Sequence, residues 1–398
     1  MKIAITCPAS LPATQFGGIM FLGVNIAKIL SNNGNKVTIY TTDLDFANNS
    51  TQFNKKLPRI EKFEQFIIKR THVYFSLFLF FINFGMYKQM KNDENDLIHA
   101  IGVRSFQSII AAIISKKKNI PFIISDQGGL TTHPDLQKSS ILKILLYRFQ
   151  KPIIKFIIKQ ADKIIVPNIY ERNIFLEFCH ESKIIIIQNG IDLNSFKNNS
   201  SDFIKKYDIK NEFILFLGRF NKVKGIQTLI DSVNQIKNHS DFKNIKTVIL
   251  GVDFGYQLEM EKMIKKLSLE DKITIIKNPS REDVVSAYHQ CKFLVLPSLW
   301  ELSPLTPLEG FACKKTVIST TAHGIPYTIK NDENCILVPP DDSKTLAEKI
   351  LFLIKNDNFR EILENNAYNL VKNERNIDVM INQYSQVYHN LIESKKKA

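Results

Sequence analysis

Two glutamates that could bind sugars stand eight positions apart in the stretch SLWELSPLTPLEG, residues 298–310. Glu309 lies near the start of a predicted helix, where a carboxylate is favourable for the helix dipole, and this alone could explain it. Glu301 has no such explanation. A carboxylate in a loop after a buried strand is positioned to accept hydrogen bonds from sugar hydroxyls. The two glutamates could therefore hold a sugar and a ribose at once.

Two cations follow another apolar strand. In FLGRFNKVKG the strand ends at Gly218, Arg219 follows, and Lys224 precedes the next helix. Backbone N–H groups at a helix N-terminus, together with two fixed cations, can converge on a diphosphate. A surface Arg and Lys in an ordinary loop is the alternative that this fragment leaves open.

Length and charge limit the classes of protein to consider. The 398 residues exceed the roughly 250 to 300 at which a single core stops growing, so we expect two domains. With 44% hydrophobic and 23% charged residues, the composition is that of a globular protein. The formal net charge of +14 suits anionic partners such as phosphorylated substrates or anionic lipid. Nucleic acid is not expected, because no recognition motif accompanies the charge.

The cysteines and the apolar runs indicate where the protein works. The five cysteines are scattered and include no C-x-x-C pair, which is untypical of a disulfide framework or a zinc site. The apolar run after Lys2 is shorter than an export signal, and the longest apolar stretch, residues 73–84, is too short to cross a bilayer. We therefore expect a cytoplasmic location and no membrane-spanning segment.

The hydrophobic pattern predicts alternating strands and helices. The opening reads as strand (KIAITC), loop, helix (residues 19–34) and strand (KVTIYTT), which is a βαβ unit. Short Ile- and Val-rich runs at residues 97–102, 121–125, 163–167 and 183–190 are typical of strands buried on both faces of a parallel sheet.

A second alternation follows a polar, Asn- and Ser-rich segment at residues 192–211. We therefore predict an α/β protein of two doubly wound, Rossmann-like domains facing across a cleft, where such sheets bind ligands. We assign residues 1–195 to the first domain and 196–371 to the second. A helix over about 372–398 is expected to pack back on the first domain.

Several motifs, in order, resemble the family 4 retaining glycosyltransferases, which have the two-domain GT-B fold. Three stretches of the C-terminal half resemble the nucleotide-sugar domain of that family: GRF…KG, residues 249–277 and VVSAYHQCKFLVLPSLWELSPLTPLEGFA. The family's E-x7-E motif falls on Glu301 and Glu309. In the N-terminal half, residues 15–41, DLIHAIG, SDQGGL and IIQNGIDLNSF stand at the family's spacing. The resemblance covers nearly the whole chain.

The resemblance implies roles for the candidate residues of the second domain. Arg219 and Lys224, after Gly218, would neutralise the donor diphosphate, in a site that in this fold usually needs no metal. Glu309 would bind the ribose hydroxyls. Glu301 would bind the transferred sugar and stabilise positive charge developing at its anomeric carbon.

One departure from the family alters the expected donor site. Ser303 and Pro304 stand where many relatives have Phe-Gly. Because proline has no N–H group, Leu305 and Thr306 must supply any backbone donors to the sugar, with Ser303 beside them.

The first domain is implied to bind the acceptor and to approach the donor. Gly17 and Gly18 open the first helix and would let the backbone come close to the donor phosphates. His99 matches a catalytic position of the family at a strand end, with a structural role as the alternative. On the acceptor side we place three residues of one region: Gln127, where a histidine is common, Gly128, and His133, which could substitute but is more simply a surface residue.

Two further stretches could suggest other chemistry. DLD at residues 43–45 is reminiscent of the metal-binding D-x-D of the other glycosyltransferase fold, but its place after the second strand favours a solvated turn. We expect no metal site. No G-x-G-x-x-G follows the first strand, so a nicotinamide dehydrogenase is not supported.

An aromatic run at residues 73–87 and a basic, apolar stretch at 141–159 both lie in the first domain. Core-facing helices are one interpretation. The other is docking on an anionic membrane surface, which would suit a lipid-linked acceptor.

The sequence as a whole predicts a peripheral-membrane enzyme without a cofactor. It would move a hexose-type unit from a UDP- or GDP-linked sugar to a hydroxyl of a glycan or lipid-linked glycan during cell-surface polysaccharide biosynthesis, as for capsule or lipopolysaccharide. The alternatives are a catalytically degenerate nucleotide-sugar-binding protein and a related enzyme such as a sugar epimerase or phosphorylase. Measuring turnover of nucleotide sugars distinguishes an active transferase from these alternatives.

Overall fold

Two parallel sheets organise the chain, each in a separate unit of a computed structural model. The structure describes residues 1–46, 52–77, 80–126, 128, 130, 141–197 and 202–397. The first unit comprises Met1–Gln188 and Met380–Ala398, and the second comprises Asn189–Val379.

The first unit contains one large sheet and two small hairpins. Its strands are, in chain order, β1 (Lys2–Thr6), β2 (Lys36–Thr42), β3 (Leu44–Phe46), β4 (Gln52–Phe53), β5 (Ile60–Phe63), β6 (Phe66–Thr71), β7 (Phe75–Leu77), β8 (Phe80–Ile82), β9 (Leu97–Ile101), β10 (Phe122–Ser125), β11 (Lys163–Val166) and β12 (Ile184–Ile186). The sheet has the order β12-β11-β10-β9-β1-β2-β6-β5, and its pairings are parallel except that of β5 with β6. Every residue of β9 and β10 is buried, as the apolar runs predict.

The second unit is built on a doubly wound parallel sheet. Its strands are β13 (Glu212–Phe220), β14 (Ile245–Asp253), β15 (Ile273–Lys277), β16 (Leu294–Leu296), β17 (Val317–Thr320) and β18 (Ile336–Val338). Their order is β15-β14-β13-β16-β17-β18, with parallel pairings throughout. The strand order reverses between β13 and β16, and such a switch point is where sheets of this kind bind ligands at their carboxyl edge.

Helices connect the strands of both units. The α-helices are α1 (Gly18–Asn32), α2 (Gly85–Asn92), α3 (Phe106–Lys118), α4 (Ile141–Gln160), α5 (Ile169–Leu176), α6 (Phe203–Lys206), α7 (Ile226–Ile236), α8 (Gln257–Lys266), α9 (Arg281–Gln290), α10 (Leu305–Ala312), α11 (Ser343–Lys355), α12 (Asp357–Asn373) and α13 (Ile377–Lys397). The 3-10 helices are Thr14–Phe16, Glu181–Lys183, Leu193–Phe196, Lys222–Lys224, Ser240–Phe242 and Ile325–Tyr327. From Met380 onward α13 belongs to the first unit.

The helix after β13 shows how sequence pattern sets packing in the second unit. Ile226, Leu229, Ile230 and Val233 of α7 recur at helical spacing, and all are buried in the core of that unit. The buried face fixes the rotation of α7 about its axis. The position of α7 also fixes the position of the chain segment that precedes it.

The structure confirms the predicted α/β class and differs from the helical interpretation of the aromatic run. The aromatic run at residues 73–87 contains the hairpin β7–β8 before α2 begins, rather than a helix throughout. Aromatic residues favour strands, which explains the difference. The polar segment at 192–211 contains the 3-10 helix Leu193–Phe196 and the short α6. In the described parts of the chain, no helix is both long enough and apolar enough to cross a bilayer.

Candidate active site

The turn between β13 and α7 holds Lys224 in place. The 3-10 helix Lys222–Lys224 ends at Gly225, which adopts φ +69°. A Cβ on Gly225 would lie 1.8 Å from the carbonyl oxygen of Pro297. Glycine is therefore required here, and its absence of a side chain lets the turn press directly against the end of β16.

Glu301 lies in the loop that leaves β16, next to the turn of Lys224. The N–H group of Leu299 donates to the carbonyl oxygen of Val223 at 2.8 Å, and the N–H group of Gly324 donates to the carbonyl oxygen of Glu301 at 2.9 Å. These bonds tie the loop to its neighbours on both sides. Because β13 and β16 pair at the switch point, both loops emerge at the carboxyl edge of the sheet.

Lys224 and Glu301 form an ion pair across these two loops. Nζ of Lys224 donates to Oε1 of Glu301, and the same oxygen accepts a hydrogen bond from Oγ of Ser298 at 3.3 Å. The two side chains are 21% and 17% exposed, respectively. Partial shielding from water strengthens their attraction relative to that of a surface pair. The structure thus joins a cation and a carboxylate that the sequence identified separately.

A small cavity opens beside this ion pair. Its walls include Lys224, Glu301, Ser298 and Thr306, with apolar side chains such as Phe216 behind them. Five of the ten residues that line the cavity are polar, so it offers both charged and neutral hydrogen-bonding groups. Two other candidate residues of the described chain, Arg219 and Glu309, do not line this cavity.

Gly218 and Arg219 lie within β13, near its C-terminal end, rather than in the loop that follows it. The exposed guanidinium group of Arg219 lies 5.0 Å from the ring centroid of Phe254, in a cation–π contact. Gly218 pairs with Gly251 of β14, and a Cβ on Gly251 would lie 1.8 Å from the carbonyl oxygen of Gly218. Close packing of the two strands therefore places Arg219 at the same carboxyl edge.

Leu305 and Thr306 are the first two residues of α10. The preceding Pro304 provides no side-chain cap. The first N–H groups of a helix lack partners within the helix, and Pro307 has none to offer. Leu305 and Thr306 are therefore the residues of the first turn whose N–H groups have no partner within the helix.

The side chain of Ser303 is engaged within the second unit. Asn189 donates from Nδ2 to Oγ of Ser303 at 3.1 Å, and the hydroxyl groups of Ser303 and Thr328 lie 3.5 Å apart. Neither Asn189 nor Thr328 was assigned to the site from sequence. Asn189 lies in the IIQNG motif, which resembles the family and could have indicated that this residue belongs to the site.

Glu309 is held by two residues of α9. The hydroxyl group of Tyr288 donates to Oε2 at 2.7 Å, and Nη1 of Arg281 donates to Oε1 at 3.4 Å. Sequence reasoning assigned a role to neither residue. Their spacing of seven on a predicted helix puts them on one face, which could have indicated a shared partner.

In the first unit, Gly17 and Gly18 form the start of α1. Gly17 is the N-cap residue with φ +85°, a conformation that favours glycine. A Cβ on either residue would meet nothing within 4 Å. The backbone at this helix end therefore borders open space.

His99 is a core residue, so its prediction as a cleft residue is corrected. Its side chain is 0% exposed. Nε2 lies 2.9 Å from Oγ of Ser125, and Nδ1 lies 2.7 Å from the hydroxyl oxygen of Tyr388 in α13. Burial lowers the pKa of His99 to about 3. A neutral imidazole with both nitrogens bonded inside the unit fits the structural alternative, and nothing in this arrangement offers it to a substrate.

The predicted acceptor residues fall mostly beyond the described residues. Gln127 and His133 lie outside the described ranges. A Cβ on Gly128 would lie 3.6 Å from the carboxylate of Asp126, which accepts hydrogen bonds from the N–H groups of Val103 and Leu130, each at 3.0 Å. Burial raises the pKa of Asp126. Asp126 therefore organises the backbone of this region.

The prediction of a solvated turn at residues 43–45 is wrong for Asp43. Its buried Oδ2 accepts from Nη1 of Arg59 at 3.2 Å and lies 2.7 Å from Nδ1 of His72, while Oδ1 accepts from the N–H group of Val73 at 3.1 Å. These partners explain why a carboxylate is tolerated there. Among the residues that the structure describes, no cluster of three or more His, Cys, Asp or Glu side chains could hold a metal ion.

Two family models match the chain, one on each half. Residues 16–195 match the model described as Glycosyltransferase Family 4, and residues 199–370 match the model described as Glycosyl transferases group 1. The second match includes Arg219, Lys224, Glu301 and Glu309.

Relatives and solved structures agree with these matches. An uncharacterised glycosyltransferase of Methanocaldococcus jannaschii is 30% identical over 278 residues, 70% of this chain and 71% of that protein. The capsular polysaccharide biosynthesis glycosyltransferase CapM of Staphylococcus aureus is 24% identical over 347 residues, 78% of this chain and 89% of that protein. The crystal structure of HepE from Anabaena in complex with UDP and glucose superimposes with a TM-score of 0.77 at 19% identity, over 97% of this chain and 99% of that one.

The fold is therefore the two-domain GT-B fold that the motifs predicted. The two family models cover both halves of the chain, and the relative from M. jannaschii is a glycosyltransferase by name. This chain belongs to the family 4 glycosyltransferases.

Proposed function

We propose that this glycosyltransferase transfers a hexose-type sugar, with retention of anomeric configuration, from a UDP- or GDP-linked donor to a hydroxyl of a glycan or lipid-linked glycan. The pathway would be cell-surface polysaccharide biosynthesis in the cytoplasm. The polysaccharide assignment is supported by CapM, whose name places that relative in capsular polysaccharide biosynthesis. A nucleotide donor is supported by the fold relative HepE, which was solved with UDP and glucose.

The Lys224–Glu301 ion pair at the switch point of the second sheet is the observation that carries this proposal. A diphosphate needs fixed cations, and a sugar needs a hydrogen-bond acceptor at the adjoining position. Lys224 and Glu301 provide the cation and the acceptor beside one cavity, which Thr306 also lines, and the N–H groups of Leu305 and Thr306 at the start of α10 add hydrogen-bond donors.

The roles in transfer follow from the charges. Lys224 and Arg219 would stabilise the negative charge that builds up on the diphosphate as the bond from the anomeric carbon to the phosphate oxygen breaks. Glu301 would stabilise the opposite charge on the sugar ring. The acceptor oxygen forms the new bond on the same face, and its proton passes to the departing phosphate oxygen. No protein base and no metal ion is required by this scheme.

A lipid-linked acceptor would bring the first unit to a membrane. Tyr74, Phe75 and Phe84, around the β7–β8 hairpin, are 71%, 58% and 64% exposed, which supports docking over a core role for this segment. The end of α4 differs, because Ile154 and Ile157 are buried. Flotation with vesicles of phosphatidylglycerol and phosphatidylcholine tests this. Failure of the protein to float with either composition would exclude the peripheral-membrane part of the proposal.

Turnover tests the proposed reaction. We would incubate the protein with UDP- and GDP-hexoses and membrane glycolipid extract, with a metal chelator present, and measure nucleoside diphosphate release and glycan extension. The account predicts donor-selective extension with retained configuration at the new linkage, read by NMR. The variant Lys224→Ala should be inactive, while Lys222→Ala, an exposed cation of the same 3-10 helix, should stay active. Binding without turnover of any donor would favour the catalytically degenerate alternative.

A further inference from the structure

Among the residues that the structure describes, the carboxylate of Glu309 has one side-chain partner on each oxygen, and both come from α9. Tyr288 donates to Oε2 at 2.7 Å and Arg281 donates to Oε1 at 3.4 Å. A carboxylate has about four acceptor sites, so roughly two stay available for a ligand. Two hydrogen bonds from one rigid helix fix the plane of the carboxylate and thereby the direction of those sites.

Phe196 braces both partners of Glu309. The guanidinium group of Arg281 lies 4.7 Å from the ring centroid of Phe196, and the rings of Phe196 and Tyr288 lie 6.2 Å apart at 62°. The carbonyl oxygen of Phe196 lies 2.7 Å from Nε2 of His289. Arg281, Tyr288 and Phe196 therefore support one another as well as Glu309.

The start of α9 is anchored independently of Glu309. Ser280 and Asp283 form a capping box, in which each side chain accepts a hydrogen bond from the other residue's N–H group. The two oxygens of Asp283 also accept from Nζ of Lys206 at 2.7 and 2.8 Å. This anchoring keeps Arg281, the first residue of the helix, from moving away when its pairing with Glu309 is disturbed.

The Tyr288 hydroxyl keeps its proton. Burial raises the pKa of Tyr288, and the adjacent negative charge of Glu309 raises it further. The phenol therefore acts as a hydrogen-bond donor to Glu309 throughout the physiological pH range.

We infer that Tyr288 and Arg281 are positioning residues that aim Glu309 at the ribose, and that they set the preference of the site for ribose over deoxyribose. The inference rests on the proposed function, because it takes Glu309 as the carboxylate that binds the ribose hydroxyls. The ligand class is a ribonucleoside diphosphate, whose two vicinal hydroxyls match the two open acceptor sites of a fixed carboxylate. A freely rotating carboxylate would bind the same hydroxyls less tightly, since ordering it costs entropy.

The test is a calorimetric titration with UDP, GDP and their 2′-deoxy and 3′-deoxy analogues. The proteins are the wild type, Tyr288→Phe, Glu309→Gln and the double variant, each checked for folding by thermal unfolding. The control Tyr368→Phe removes the hydroxyl of another tyrosine in the same unit, one that contacts Lys314 rather than Glu309. Arg281→Gln is a second probe, and because Arg281 is 50% exposed this variant keeps the core intact.

We expect Tyr288→Phe to weaken binding of the ribonucleoside diphosphate about three- to tenfold, the effect of one buried hydrogen bond. Binding of the 2′-deoxy and 3′-deoxy analogues, each of which keeps one of the two hydroxyls, should fall by a smaller factor, and the effect should vanish in the Glu309→Gln background. Arg281→Gln should shift the same ratio in the same direction by about two- to fivefold, since its pairing is longer and more exposed.

Two results would overturn the inference alone, leaving the proposed function in place. One is an equal loss of affinity for ribose and deoxyribose ligands in Tyr288→Phe, with Arg281→Gln like the wild type. The other is persistence of the Tyr288→Phe effect in the Glu309→Gln background. Absence of binding of any nucleoside diphosphate to the folded wild type would instead overturn the proposed function and the inference together.

Discussion

Lys224 and Glu301, 77 positions apart in the chain, form an ion pair at the point where the strand order of the second sheet reverses. In this pairing each side chain neutralises the other. In the proposed function, a nucleoside diphosphate would compete with Glu301 for the ammonium group of Lys224, and a sugar hydroxyl would compete with Lys224 for the carboxylate. We therefore expect donor binding to exchange the partners of both residues.

The exchange predicts opposite effects of one substitution on binding and transfer. In Glu301→Gln, Lys224 no longer has an anionic partner, so UDP or GDP should bind about two- to tenfold more tightly than to the wild type. Sugar transfer should fall by roughly 100-fold or more, because the charge on the sugar ring loses its stabilising carboxylate. Calorimetry and a transfer assay measure the two effects. The control is Glu282→Gln, an exposed residue of α9. Weaker nucleotide binding by Glu301→Gln would contradict the exchange.

The loss of Lys224 should discriminate between nucleotides. Lys224→Ala should lower affinity for a nucleoside diphosphate by about 2 kcal/mol, the scale of a charged hydrogen bond. Affinity for the nucleoside alone should be unaffected, since the nucleoside carries no phosphate. Titrations of UDP and uridine, or of GDP and guanosine, check this against Lys222→Ala. Equal losses for diphosphate and nucleoside would mean that Lys224 supports the fold of the loop rather than the phosphates.

Gly225 should tolerate no side chain. In Gly225→Ala the new methyl group would collide with the carbonyl oxygen of Pro297, 1.8 Å away, at φ +69°. We expect a loss of about 3 kcal/mol or more in the free energy of unfolding, or an insoluble protein. Gly18→Ala is the folding control, because a Cβ there meets nothing within 4 Å. A Gly225→Ala protein with wild-type stability would show that the turn does not pack against β16 as described.

His99 should make the stability of the first unit depend on pH. Its pKa is about 3 when folded and about 6.5 when unfolded, so the unfolded chain binds more protons between these values. Stability is therefore full above pH 6.5 and falls as the pH drops from 6.5 towards 3. At pH 5 the loss from this group is about 2 kcal/mol.

Urea unfolding at pH 7.5 and pH 5 measures this dependence. His99→Gln should lose the part of the pH dependence that His99 contributes, whereas His389→Gln, an exposed histidine of α13, should retain it. An unchanged pH dependence in His99→Gln would show that the imidazole titrates normally and is accessible to water.

The fold and the candidate donor-site residues could be predicted from the sequence because they depend on local patterns. The Ile- and Val-rich runs at 97–102 and 121–125 correspond to the buried strands β9 and β10. The run at 183–190 contains β12, an edge strand whose residues are only partly buried or exposed, so burial on both faces was wrongly predicted there. Glu301 and Glu309 were found because a strand, a proline loop and a helix occur in one continuous stretch.

The contacts that surround those residues could not be predicted from the sequence. Burial of His99 depends on Tyr388, 289 positions further along the chain. The partner of Lys224 depends on which strand follows β13 in the sheet order, and the support of Glu309 by Tyr288 depends on how α9 packs beside α10. Each is a consequence of topology, which periodicity along the chain does not specify.

The most direct test of the account is calorimetric binding of UDP, GDP, dTDP and ADP, with chelator present, to the wild type and to Glu309→Ala. We predict that UDP or GDP binds selectively without metal, and that Glu309→Ala weakens this binding by about 1 to 3 kcal/mol. Absence of binding of all four nucleotides to a demonstrably folded protein would contradict the claim that the second unit holds a nucleotide-sugar donor.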